Sequence, residues 1–210
     1  MIYLIGGPPK CGKTTLAKKL SVQYQIPWIS ADTLQNIVWA YTPEDKRLVL
    51  FPHSSLREDS NDEFYLKYSS EEVVKDYIAQ GKTTYDAISM MAETYLTDKD
   101  DFIVEGYQVA PEIVDRIFKK FGKEHVRAIF LVKHEEQKFI QDLHKSTTPN
   151  DWVLRKTKDE ATFGKIAKMI AEYSRYFEQE AKKYGLQIFN MDDGFNEQLE
   201  AIEKYLKNGL

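Results

Sequence analysis

The chain has 210 residues, 42% of them hydrophobic and 30% charged, with a formal net charge of −4. That length suits one domain with a sizeable core, and the composition is that of an ordinary globular protein. The negative balance argues against broad electrostatic binding to nucleic acid or anionic lipid, the single Cys11 cannot form an internal disulfide, and no apolar run approaches a membrane span.

Ile2 to Ile5 is a short apolar run that reads as a fully buried strand. Met1 to Gly7 lacks a basic n-region and runs straight into a motif, so it does not read as a signal peptide. The expected setting is cytoplasmic.

The motif is Gly7-Pro8-Pro9-Lys10-Cys11-Gly12-Lys13-Thr14, a glycine-rich loop between a strand and a helix. Glycines admit backbone conformations and close approaches that a Cβ would block. Successive N–H groups from about Lys10 to Thr15 can then surround a phosphate, reinforced by the positive end of the following helix. Lys13 suits the β- and γ-phosphate oxygens, the Thr14 hydroxyl suits Mg²⁺, and Thr15 suits the α-phosphate. Pro8 and Pro9 have no N–H and can only stiffen the entry. Cys11 reads as a small neutral filler rather than a redox sensor. The ligands expected are ATP and Mg²⁺, with Gly7, Lys10, Cys11, Gly12, Lys13, Thr14 and Thr15 forming the nucleotide site.

Leu16, Ala17, Leu20 and Tyr24 recur at helical spacing, which predicts a helix from Lys13 to Tyr24. Pro27 to Ser30 reads as a second strand, followed by a helix over Thr33 to Tyr41. Residues 42 to 68 then break the alternation: they are polar, contain Pro43 and Pro52, and carry Arg47, His53 and Arg57. A stretch of this length points to an acceptor site, and Arg47 and Arg57 could read an anionic acceptor bidentately.

A long helix is predicted over Ser70 to Leu96, with Ser69 to Glu72 as its capping start. Phe102 to Val104 forms a third strand ending in Glu105-Gly106, Pro111 to Phe121 a helix, and Val126 to Val132 a fourth strand. Helices over Glu135 to His144, Asp159 to Tyr184 and Asn196 to Leu206 flank a fifth strand at Leu186 to Phe189. Residues 145 to 158, with Thr147-Thr148-Pro149-Asn150-Asp151 and Arg155-Lys156, read as a lid. Arg155 is its leading cation, with Lys145, Lys156 and Arg175 as competitors. The four histidines show no metal-ligand spacing and read as structural or surface residues.

Alternating strands and helices predict an α/β domain with a mainly parallel sheet. Ligands in such sheets sit at the carboxyl ends of strands, which singles out Asp32 and Glu105. Asp32 could accept a proton from an acceptor hydroxyl or hold Mg²⁺ through water, or else cap the next helix. Glu105 could organise Mg²⁺ or the nucleophile, or else anchor a neighbouring loop.

The loop, Asp32 within Trp28-Ile29-Ser30-Ala31-Asp32, and Phe102-Ile103-Val104-Glu105-Gly106-Tyr107 together resemble small P-loop kinases of the adenylate kinase-like class. Within that class the chain is similar to the 2-phosphoglycerate kinase-like and zeta-toxin-like group. The resemblance implies a P-loop NTPase fold of three layers with five strands in the order 2-3-1-4-5, a helical acceptor insertion and a short lid. It also implies that Lys13 and Thr14 act on phosphate and Mg²⁺, and that Asp32 is the base or an acceptor contact. The lid departs from the closely spaced arginine pair of nucleotide kinases, since only Lys156 follows Arg155.

The expected activity is transfer of the γ-phosphoryl of ATP to a hydroxyl of a small molecule, with Lys13, Asp32, Glu105 and Arg155 in the chemistry. A monomer or homodimer is expected. The alternative is a nucleotide-binding or hydrolysing switch without an acceptor. A GTPase is disfavoured because Thr157-Lys158-Asp159-Glu160 lacks the last Asp of the guanine-reading motif.

Overall fold

The protein is described by a computed structural model covering residues 1–146 and 151–207. Five parallel strands form one sheet: β1 (Ile2–Gly6), β2 (Trp28–Ser30), β3 (Phe102–Glu105), β4 (Val126–Val132) and β5 (Gln187–Asn190). Their order is β2-β3-β1-β4-β5, as expected, and the sheet is wholly rather than mainly parallel.

Every residue of β1 and β3 is buried. Such strands bury apolar side chains on both faces, each contributing about 1.5–3 kcal/mol. Packed against the sheet are α1 (Lys13–Tyr24), α7 (Tyr85–Asp98), α8 (Pro111–Phe121), α11 (Glu160–Lys183) and α12 (Phe195–Lys207). Their apolar faces and the strands make one continuous core, with Leu4, Ile103, Ile117, Phe130, Tyr173 and Phe177 among its fully buried members.

The register sets the site. Ile5 and Ser30 both pair with Glu105, and Gly6 pairs with Phe130. The carboxyl ends of β2, β3 and β1 therefore lie side by side, at the point where the chain order reverses around β1.

Three segments differ from the sequence expectation. The helix predicted over Ser70 to Leu96 is two helices, α6 (Ser70–Lys82) and α7. The break falls at two adjacent β-branched residues, where the Thr83 hydroxyl donates to the Gln80 carbonyl at 2.7 Å and competes with the helical ladder. The irregular stretch 42–68 folds into three short helices, α3 (Glu44–Leu50), α4 (Pro52–Leu56) and α5 (Asn61–Lys67). Helix α2 (Ala31–Tyr41) starts two residues early, because Ser30 caps it by accepting from the Asp32 N–H. Of the expected lid, 147–150 lies outside the described residues; the remainder contains α10 (Trp152–Lys156), which follows α9 (Glu136–His144).

Residues 61–62 of α5 are tied to the segment 152–159. Asn61 on α5 donates to the Trp152 carbonyl at 3.3 Å and to the Thr157 hydroxyl at 3.0 Å. Asp62 accepts from the Lys158 and Asp159 N–H groups. Among the described residues no helix is long and apolar enough to cross a membrane.

Candidate active site

The glycine-rich loop leaves β1 and turns through left-handed conformations at Gly7 (φ 128°), Lys10 (φ 66°) and Gly12 (φ 92°). A Cβ on Gly7 would lie 2.1 Å from the Leu131 carbonyl oxygen, and one on Gly12 2.5 Å from the Phe195 ring. Both positions therefore require glycine on conformation and on space. Gly12 caps α1 without any side-chain hydrogen bond, so the first-turn N–H groups stay open at the positive end of a 12-residue helix. Lys13 is buried and folds back over the loop, its Nζ donating to the Pro8 carbonyl at 2.5 Å. This is a cradle of donors with an ammonium across it, a fit for a polyphosphate.

Cys11 beside it is fully buried, and burial pushes its thiol up to about 11. It is a neutral filler, as expected, and too protonated at neutral pH to sense redox.

The two strand-end acids differ in environment. Glu105 is buried and accepts the Thr14 hydroxyl proton at 3.0 Å. Burial raises its pKa above the ordinary carboxylate value, and the Asp32 charge adds to that. Lys13 and the Thr14 and Ser30 hydroxyls oppose it. Asp32 is exposed, and one oxygen accepts from Gln108 Nε2 at 2.8 Å. Ser30 does the capping, so the Asp32 carboxylate is not spent on the helix end. Thr14 and Glu105 present two hard oxygens, the donor type that Mg²⁺ takes while keeping phosphate and water in its other positions. Among the described residues no group of three or more His, Cys, Asp or Glu could hold a metal ion unaided.

These groups line one cavity of about 940 Å³. At the loop end it is bounded by Lys10, Gly12, Lys13, Thr14 and Thr15, with Met191 and Phe195 from the segment after β5. At the other side it reaches His53, Ser54 and Arg57 of the insertion, and Gln35, Tyr77, Gln80 and Tyr107. Arg57 lies over the Trp152 ring, its guanidinium carbon 4.7 Å from the centroid.

Not every expected cation arrives. Arg155 is exposed and does not line the cavity; Lys156 and Arg175 do not line it either. Arg47 is directed elsewhere, its Nε donating to the Thr42 carbonyl at 3.1 Å and its guanidinium lying over Trp39. Lys145 does line the cavity, joined by Lys133 and Lys138. Lys133 follows β4 directly, so the strand-end reasoning that picks out Asp32 and Glu105 would have found it. Gln35 stands one helical turn after Asp32, a spacing that puts both on one face of α2. His53, read with the other histidines as structural or surface, lines the cavity from the stretch expected to hold an acceptor site; for Gln108 the sequence carries no signal.

Solved structures give the wider context. A shikimate kinase from Bacteroides thetaiotaomicron superposes with a TM-score of 0.53 at 14% identity, covering 99% of this chain and 98% of its own. A protein of Chloroflexus aurantiacus proposed to be a kinase superposes at 0.52 and 14% identity, covering 100% and 97%. The chain thus shares its fold with these two proteins over essentially the full length of each. No protein-family profile matches the chain, and no curated protein matches it.

Proposed function

We propose that the chain is an ATP-dependent small-molecule kinase. The observation that carries this reading is the single cavity, which has the phosphate loop and Lys13 at one end and continues past Asp32 into the insertion. A nucleotide switch needs only the first half.

In this reading the loop amides and Lys13 hold the triphosphate, and Met191 and Phe195 offer apolar surface to the base. Thr14, with Glu105 behind it, would hold Mg²⁺, which supplies charge neutralisation at the phosphates. Asp32 accepts the proton of the acceptor hydroxyl as its oxygen bonds to the γ-phosphorus. The bond from that phosphorus to the bridging oxygen breaks, and ADP leaves with the electron pair. Lys133, Lys138 and Lys145 line the cavity and offset the charge of the transferred group; Arg155 would need lid movement to join them. Arg57 is placed to pair with an anionic group on the acceptor.

The test is ADP formation with and without candidate hydroxyl acceptors, read alongside mass detection of the phosphorylated product. Acceptor-dependent ADP that Lys13→Ala removes supports the kinase. Acceptor-independent hydrolysis, or turnover unchanged in Lys13→Ala, overturns it.

A further inference from the structure

A directed chain of hydrogen bonds runs from the insertion to Asp32. The Ser54 N–H donates to Gln80 Oε1 at 2.8 Å, and Gln80 Nε2 donates to the Tyr107 hydroxyl at 2.8 Å. Tyr107 donates its one proton to Gln35 Oε1 at 2.6 Å. Gln108 Nε2 donates both to that same oxygen, at 3.1 Å, and to Asp32. The Ser54 N–H can only donate and so orients Gln80, while the ionised Asp32 carboxylate can only accept and so orients Gln108, whose N–H in turn requires the Gln35 oxygen; all three amides are thereby set. The Gln35 oxygen is thereby spent on two donors. Its NH₂ group is left without a partner among the described residues, on a side chain that lines the cavity beside Asp32.

Helix α4, held by the start of this chain, carries His53. Its imidazole is only 6% exposed, stacks on Tyr77 at 3.8 Å and meets Phe64 edge-on at 5.6 Å, yet neither nitrogen has a partner. Burial, helped by Arg57, lowers its pKa to about 3, so the ring is neutral and offers one donor and one acceptor. Buried polar groups are almost always paired, and an orphan pair lining a ligand cavity calls for a partner from the ligand. A hydroxyl both donates and accepts, as does this ring. Two of the nearby rings are already engaged, Tyr77 stacked by His53 and Tyr173 and Trp152 carrying Arg57 on one face. That leaves less open aromatic surface there for a flat base.

Resting on the kinase reading, we propose that Gln35 and His53 read hydroxyls other than the one phosphorylated, so that the acceptor is a compact polyhydroxylated molecule. Gln35 donates to an oxygen next to the reacting one. His53 meets a more distant hydroxyl once acceptor entry displaces the five-residue α4, since its nitrogens are shielded in the present arrangement.

The test uses glycolate, D-glycerate, D-erythronate and D-gluconate, hydroxy acids that share a carboxylate and differ in hydroxyl number, with adenosine as the flat-base probe. Acceptor-dependent ADP formation is measured for the wild type, Gln35→Glu and His53→Phe. Gln35→Glu keeps the accepting oxygen and loses the NH₂; His53→Phe keeps the stacked ring and loses the nitrogens. The expected result is a preference of roughly tenfold or more in kcat/KM for a polyhydroxy acid over glycolate, reduced about tenfold, mainly through KM, in each variant. Equal rates across the series, a preference for adenosine, or an unchanged preference in both variants overturns the proposal. If no hydroxy acid elicits ADP, the polyol assignment falls. Calorimetric ATP binding, compared between wild type and Lys13→Ala, then decides the nucleotide reading separately.

Discussion

Thr14 donates its hydroxyl proton to Glu105 at 3.0 Å, joining the first turn of α1 to the carboxyl end of β3. The bond places a carboxylate where water is largely excluded. Its pKa is raised because desolvation outweighs the attraction of Lys13 and the hydroxyl donors.

A carboxyl with a raised folded pKa costs stability as pH rises from its ordinary value of 4.5 through the raised one, and the cost is complete above that. Glu105→Gln keeps an acceptor for Thr14 and removes the charge. Its melting temperature should exceed the wild type's at pH 7 and converge with it near pH 4. Turnover should fall by about 10²-fold or more. Thermal melts at the two pH values with parallel assays check this; a lower melting temperature at pH 7 would show that the ionised carboxylate is net stabilising.

Asp32→Asn preserves the acceptor of the Gln108 hydrogen bond and removes the base. Phosphoryl transfer should fall by about 10²–10⁴-fold while the ATP dissociation constant changes by no more than about threefold. Single-turnover assays beside calorimetry separate the two. Parallel loss of both would make Asp32 structural.

His53 predicts acid sensitivity. A histidine whose folded pKa lies below its unfolded 6.5 favours folding above 6.5 and loses that contribution as pH falls towards the folded value of about 3. Arg57, the charged group that acts on the ring, adds to the depression. Between pH 6.5 and 5 this one group should cost about 2 kcal/mol. Urea titrations at both pH values should show that loss in the wild type and its absence in His53→Phe.

Asp151 pairs with Lys10 of the phosphate loop at 2.5 Å and caps α10 by accepting from the Val153 N–H at 3.0 Å. Asp151→Asn retains the cap and removes a negative charge beside the loop. ATP affinity should rise about fivefold, an effect that shrinks at high salt. Asp151→Ala should in addition speed amide exchange across 152–156, since the cap is lost. Affinity unchanged in the Asn variant would mean that the carboxylate lies too far from the phosphates to matter.

The architecture was legible because local chemistry dictated it. Fully apolar runs such as Ile2 to Ile5 can only be buried strands, and the loop between Gly7 and Thr14 announces both its strand and its helix. The capping residue Ser69 marked one helix start. What misled was propensity summed over a window: the pattern through Ser70 to Leu96 is helical throughout, but the chain breaks it at Thr83 and Thr84, where both N–H groups bond three residues back and the Thr83 hydroxyl takes the Gln80 carbonyl. Residues 42–68 had too little periodicity to show three short helices, which owe their formation to tertiary packing.

By itself, the sequence determined where the glycine-rich loop and the two strand-end acids sit, because that depends on backbone conformation and on neighbours in the chain. Spacing alone could not choose among distant cations: Arg57, Lys138 and Lys145 reach the cavity while Arg47 and Arg155 do not, because tertiary packing places them. Nor could it reveal that Ser54, Gln80, Tyr107 and Gln35 align into one directed relay. Hydrogen bonds between residues 26 to 72 positions apart exist only once the core has brought their elements together.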